Sequence, residues 1–111
     1  MLSIGGTTRV FLATAPVDLR ASFNRLYGYV AEILKEDPRS GHWFVFTNQR
    51  RTRIKILVFD GSGLWILTKR LESGRYTWPG GTGASMKLRN EEFGALVNGL
   101  EVTSRKNWYR G

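Results

Sequence analysis

Between His42 and Leu71 three apolar, β-rich segments follow one another with almost nothing between them. They are HWFVFT over 42–47, IKILVF over 54–59 and LWILTKRL over 64–71. The first connection is the basic stretch 48–53, and the second is the turn Asp60-Gly61-Ser62-Gly63. Parallel neighbours need a crossover of about a dozen residues or more, so linkers this short predict antiparallel pairing. Glu72-Ser73-Gly74 reads as one more turn, leading into a fourth short strand over 75–78 and completing a meander over 42–78. The segment 56–59 is apolar at successive positions. Both of its faces therefore need cover, one from a helix and the other from a second element or a second subunit.

The flanking segments supply that cover. Residues 8–13 (TRVFLA) read as a first strand, ended by Pro16. Asp18 stands where an N-cap belongs, and Leu19, Phe23, Leu26, Val30, Ile33 and Leu34 recur at spacings of three and four. This predicts one long helix over 18–36, stopped by Asp37-Pro38 because the residue before proline avoids the helical region. Gly28 weakens its middle by roughly 1 kcal/mol, so packing must hold it. Residues 79–83 (PGGTG) break the meander; no Gly-Lys-Ser/Thr follows, so they are no phosphate-binding P-loop. Asn90 is the expected cap of a short second helix over 90–98, with Glu91 and Glu92 in its first turn and Asn98-Gly99 as its stop. Its stripe is Phe93, Leu96, Val97 and Leu100, and 102–111 forms a last strand or a loose arm. The expectation is a single α+β domain over 1–111, an antiparallel sheet of about five strands packed on one long helix.

Charge is the second constraint. The 111 residues hold 17 Lys+Arg against 9 Asp+Glu, a net charge of +8. Residues 39–75 hold Arg39, Arg50, Arg51, Arg53, Lys55, Lys69, Arg70 and Arg75 against Asp60 and Glu72, eight minus two or +6. The last eleven residues add Arg105, Lys106 and Arg110 against Glu101, three minus one or +2. Everything else balances, whereas a surface built for solubility intersperses the two signs. Arg50, Arg51, Arg53, Lys55, Lys69, Arg70 and Arg75 are the candidate nucleic-acid contacts, with Arg105 and Lys106 as a second patch. Arginine forks grip phosphate bidentately and lysines act as point charges. A three-residue loop at 61–63 sets Lys55 opposite Lys69, and a two-residue loop sets it opposite Thr68. In either register the two basic stretches meet at the end of the sheet away from Asp60. Among the aromatics, Trp43, Phe44 and Phe46 belong to packing, while Tyr76, Trp78, Trp108 and Tyr109 are left open as stacking surfaces for single strands. No helix-turn-helix, zinc-finger or RNP-type pattern exists, so backbone contact is favoured over base reading.

Catalytic chemistry finds little to work with. There is no cysteine and one histidine, His42, at the start of an apolar strand. A metal-dependent nuclease would need Asp18, Asp60 and one of Glu72, Glu91 or Glu92. Each of those acids already has a structural explanation at a helix start or a turn. No cofactor is expected. No apolar run approaches the ~20 residues of a membrane span, and no secretory signal opens the chain, so a cytoplasmic setting is expected.

Several linked motifs add a family resemblance. Arg9 to Thr14 (RVFLAT), Pro16 to Arg20 (PVDLR), Asp37-Pro38, Ser40-Gly41 and Phe44-Val45-Phe46 occur in order. Asn48, Arg53, Lys55, Leu57, the run Phe59 to Gly63 (FDGSG), Lys69-Arg70-Leu71, Gly74 and Trp78-Pro79 follow. Over residues 8–79, extended by the helix 90–99, the chain resembles the second-open-reading-frame (TnpB-type) accessory protein of the insertion sequence 66 group. Gln49 replaces a more usual Arg, and Ala21-Ser22 a more usual Lys-Gly. The resemblance implies a non-catalytic role in transposition beside a separate, larger transposase. The expected partners are DNA, bound non-specifically at mobile-element ends through a basic face of the sheet, and the transposase itself, with self-association left open. An adaptor for the transposase is the alternative, followed by a metal-dependent nuclease or an RNA-binding module.

Overall fold

A computed structural model describes residues 5–100; the tail with Arg105, Lys106, Trp108 and Tyr109 lies outside the described residues. Strand β1 (Val10–Ala13) is followed by helix α1 (Phe23–Glu32), then β2 (Trp43–Thr47), β3 (Arg53–Phe59), β4 (Leu64–Arg70), β5 (Ser85–Leu88) and helix α2 (Asn90–Val97). The five strands form one sheet in the order β4-β3-β2-β1-β5.

The expected antiparallel hairpins are present, with Phe44 opposite Leu57 and Phe59 opposite Leu64. The sheet as a whole is mixed, which corrects the all-antiparallel expectation. β1 runs parallel to β2, pairing Val10 with Trp43 and Leu12 with Val45, because α1 lies between them in sequence and provides the crossover. The meander also ends earlier than expected. Residues 75–78 form no strand. The fifth strand is instead the segment 85–88, antiparallel to β1 with Phe11 opposite Lys87.

Both helices differ at their ends from the sequence reading. α1 spans 10 residues, not the whole of 18–36. Asp18 does not cap it: the carboxylate accepts from the Arg20 backbone N–H at 3.0 Å and from the guanidinium at 2.7 Å, forming a separate turn. At the other end Lys35 adopts φ 58, so the helix stops before Asp37-Pro38 is reached. α2 is capped by Arg89 rather than Asn90. The Arg89 backbone N–H donates to Glu92 Oε1 at 2.9 Å, the reciprocal arrangement of a capping box. Gly99, at φ 73, provides the expected left-handed stop. Among the described residues no helix is long and apolar enough to cross a membrane.

Each face of the sheet has its own core. On one, Ala13, Phe44, Phe46 and Leu57 pack against Leu26, Val30 and Leu34 from α1 and the segment after it. On the other, Val10, Leu12, Val45, Ile54, Ile56 and Val58 pack against Phe93 and Leu96 of α2. Tyr76 and Trp78 complete this second core, so the second cover comes from the same chain. The Trp78 indole N–H donates to the Ala13 carbonyl at 2.9 Å, satisfying its one polar atom at the centre of the sheet. Trp78→Ala removes a buried ring and is expected to cost about 3–5 kcal/mol, read as a large drop in melting temperature.

The β3–β4 turn takes the register with Lys55 opposite Thr68. Asp60 organises it, accepting from Trp65 Nε1 at 2.7 Å, the backbone N–H groups of Ser62 and Gly63, and the Ser62 hydroxyl. These donors, Trp65 foremost, hold the Asp60 carboxyl well below the ordinary carboxylate range. A depressed folded-state value stabilises above the unfolded value near 3.9 and is lost as pH falls through the folded value. Asp60→Asn should therefore melt below the parent from pH 7 to about 5, with the gap closing below about pH 4. Melting curves at pH 7, 5 and 3 check this, and a gap undiminished at pH 3 would contradict it.

Candidate nucleic-acid interface

The β2–β3 connection is a rigid loop built around Asn48. Its Oδ1 accepts the backbone N–H groups of Thr52 at 2.9 Å and Arg53 at 3.2 Å, and its Nδ2 donates to Thr52 Oγ1 at 3.1 Å. The Asn48 carbonyl also accepts from Arg51 N–H. Thr47 Oγ1 donates to the Arg53 carbonyl at 2.8 Å, fixing that residue from its other side. Asparagine suits this place because its side chain reproduces backbone turn hydrogen bonds. Within the loop Arg51 sits at φ 59, left-handed for a residue with a side chain and costing on the order of 1 kcal/mol. Asn48 and Thr47 hold that conformation, and Gln49, Arg50 and Arg51 stand exposed on it.

Two further segments converge on the same end of the sheet. Leu71 N–H donates to the Thr52 carbonyl at 3.1 Å, and Tyr76 N–H to the Arg51 carbonyl at 2.7 Å. Those bonds set the end of β4 and the segment 75–78 beside the loop. Tyr76 and Trp78 turn inward while Arg75 and Thr77 remain exposed. Arg50, Arg51, Arg53, Arg70 and Arg75 thus gather at one end of the molecule, all exposed. None of them forms an ion pair among the described residues. The nearby Asp18 does not neutralise them. Asp18 and Arg20 flank Arg50 around an open cleft of about 430 Å³. The Arg20 guanidinium holds Asp18 at 2.7 Å and lowers its pKa to about 2.

The two candidate lysines are placed differently. Lys55 reaches across the α1 side and donates to the Ala21 carbonyl at 3.0 Å. Lys69 points to the opposite side, where its Nζ donates to the Val97 carbonyl at 2.6 Å, at the negative end of the α2 dipole. Each ammonium thus makes one hydrogen bond within the fold. The charge is gathered at an end of the sheet, not spread over one face, since alternation along a strand sends neighbouring side chains to opposite sides. Arg53 and Arg70 face each other directly across β3 and β4. Like charges so opposed cost on the order of 0.2–1 kcal/mol.

Of the aromatics left open by the sequence, Tyr76 and Trp78 are core residues, and Trp108 and Tyr109 lie outside the described residues. Tyr76 is 2% exposed and Trp78 7%, so neither offers a stacking surface. The exposed Trp65 sits at the far end, tied to the Asp60 turn. Asp18 and Asp60 are likewise occupied, each within its own turn. Among the described residues no three His, Asp or Glu side chains come together to hold a metal ion. Sequence reasoning missed Asn48 as the residue that shapes the arginine loop. Its signal was a lone Asn before an arginine run, between two strands.

The chain is 35% identical to protein y4hO of Sinorhizobium fredii over 101 residues, covering 91% of this chain and 88% of the relative. It is 40% identical to protein y4jC of the same organism over 98 residues, covering 88% of this chain and 84% of the relative. No solved structure matches it. The model of the IS66 Orf2-like proteins matches residues 8–107, nearly the whole chain. The chain thus belongs to the IS66 Orf2-like family, the transposition-associated accessory proteins of insertion sequences.

Proposed function

We propose that this protein serves transposition by binding the DNA backbone, without reading sequence, through the arginine end of its sheet. The observation that carries the reading is the set Arg50, Arg51, Arg53, Arg70 and Arg75. All five are exposed at one end, and none forms an ion pair among the described residues. A polyanion offers what the fold withholds. With the loop backbone already held by Asn48, meeting phosphates orders only the guanidinium side chains, at about 0.5–1.5 kcal/mol each. The burial of Tyr76 and Trp78 favours a duplex over a single strand, because the described part of this end has arginines and no stacking platform. Among the described residues no element presents side chains in the manner of a groove-reading helix, which is why binding is assigned to phosphates. Arg105 and Lys106 would extend the same contact along the DNA, and the separate transposase is the expected companion on it.

With about four to five phosphates engaged, the slope of log affinity against log salt should lie between about −3.6 and −4.5, so affinity falls about 150- to 500-fold between 50 and 200 mM salt. Fluorescence anisotropy on a labelled duplex of arbitrary sequence measures this directly. Arg50→Ala, Arg51→Ala and Arg53→Ala combined should flatten the slope by between one and three phosphates' worth while leaving the melting temperature close to the parent's. Absence of binding at the lowest salt overturns the reading and favours an adaptor that meets an acidic protein surface. Stronger binding to RNA of equal length favours an RNA-binding module.

A further inference from the structure

Within the arginine end, one pair is built differently from the rest. Arg53 and Arg70 are cross-strand partners, and the ladder fixes which kind. Asp60 N–H donates to the Gly63 carbonyl and Leu71 N–H to the Thr52 carbonyl, so 60 with 63 and 52 with 71 are hydrogen-bonded pairs. Such pairs alternate along an antiparallel ladder, which makes Arg53 and Arg70 a non-hydrogen-bonded pair. That is the class whose side chains stand closest, with Cα atoms about 4.5 Å apart. Two guanidinium groups are therefore rooted side by side, on the side of the sheet that carries α1. Asn48, Thr47 and the Thr52–Leu71 bond hold both backbones. The neighbours on this face are Lys55, whose charge is turned away to Ala21, and Thr68, which is neutral. No carboxylate pairs with either arginine among the described residues.

We propose that Arg53 and Arg70 together clamp a single phosphate group, two forks closing on one tetrahedral anion. With roots about 4.5 Å apart, one phosphate reached by both forks relieves the repulsion that the register imposes. The inference rests on the DNA reading for its biological ligand, a backbone phosphodiester, but the clamp itself is a site for phosphate as such.

Two measurements test it. The first uses inorganic phosphate alone. At equal ionic strength, replacing chloride by phosphate should raise the melting temperature of the parent by about 2–4 °C beyond the rise of the Arg53→Ala/Arg70→Ala double variant. The double variant corrects for the general stabilisation that phosphate gives any folded protein. An equal rise in both proteins overturns the clamp.

The second uses duplex DNA with each single variant and the double. If one phosphate is shared, either arginine alone still neutralises it. Each single variant then keeps nearly the parental salt slope, and the double loses about 0.9. Separate phosphates predict a loss of about 0.9 for each single variant and about 1.8 for the double, which overturns the clamp. A double variant with the parental slope overturns it as well. A phosphate response in a protein that binds no DNA keeps the clamp and removes the DNA reading. DNA binding with independent losses does the reverse.

Discussion

The parallel pairing of β1 with β2 is the constraint from which the rest of the molecule follows. It puts Trp43–Thr47 inside the sheet, with β1 on one side and β3 on the other. Phe44, Val45 and Phe46 are then fully buried, with successive side chains on opposite faces. Each face therefore requires its own cover. The crossover that makes the pair parallel carries α1 over one face, and the chain beyond β4 must return to cover the other. That return gives α2, the inward-turned Tyr76 and Trp78, and β5 closing the exposed side of β1. Trp78 joins the two halves of the chain, since its indole N–H reaches the carbonyl of Ala13 in the first strand.

The same arrangement explains why the positive charge ends where it does. The core takes the aromatic rings at the arginine end, where the end of β2, the start of β3 and the end of β4 meet as three chain segments. Residues at strand ends lie outside the ladder interior, so long charged side chains can stay solvated. The acids are placed by local interactions: Asp60 in its turn at the far end, Glu91 and Glu92 at the start of α2, and Asp18, near Arg50, held by Arg20, while the exposed Glu72 forms no ion pair among the described residues. The separation of signs is thus the sum of several short-range satisfactions, and the long-range field is its consequence.

Much of this was legible in the sequence, and the failures are physical. The tight hairpins of β2, β3 and β4 could be read because linker length alone dictates antiparallel pairing. The place of β1 could not, since nothing within TRVFLA says which strand it joins. Ser85–Leu88 escaped notice because SMKL lacks the β-branched and aromatic residues that mark strands; its pairing with β1 is a tertiary effect. Residues 75–78 looked like a strand for the opposite reason. RYTW alternates and is aromatic, but its inward side chains plug a core instead of pairing with β4. Asp18 was read as a cap from its position, while two residues further on Arg20 offered a better partner. The basic residues were found as a set, yet composition cannot separate Lys55 and Lys69, spent on carbonyls of Ala21 and Val97, from the arginines that stay free of such bonds.

That separation of lysine from arginine has a chemical logic. A lysine ammonium is a compact charge on a flexible stem, able to cap a backbone carbonyl with one short hydrogen bond. Arginine spreads its charge over a planar fork of five donors, which a lone carbonyl cannot satisfy but a phosphate can. At this end of the sheet Lys55 and Lys69 bond backbone carbonyls while Arg50, Arg51, Arg53, Arg70 and Arg75 form no ion pair among the described residues, a division that matches the acceptor geometry each cation suits. The repulsion kept between Arg53 and Arg70 costs on the order of 0.2–1 kcal/mol, and the left-handed backbone kept at Arg51 on the order of 1 kcal/mol. Neither improves the packing of the sheet they border. Both fall on the same short stretch of chain around the β2–β3 loop, where the phosphate contact proposed above would offset them.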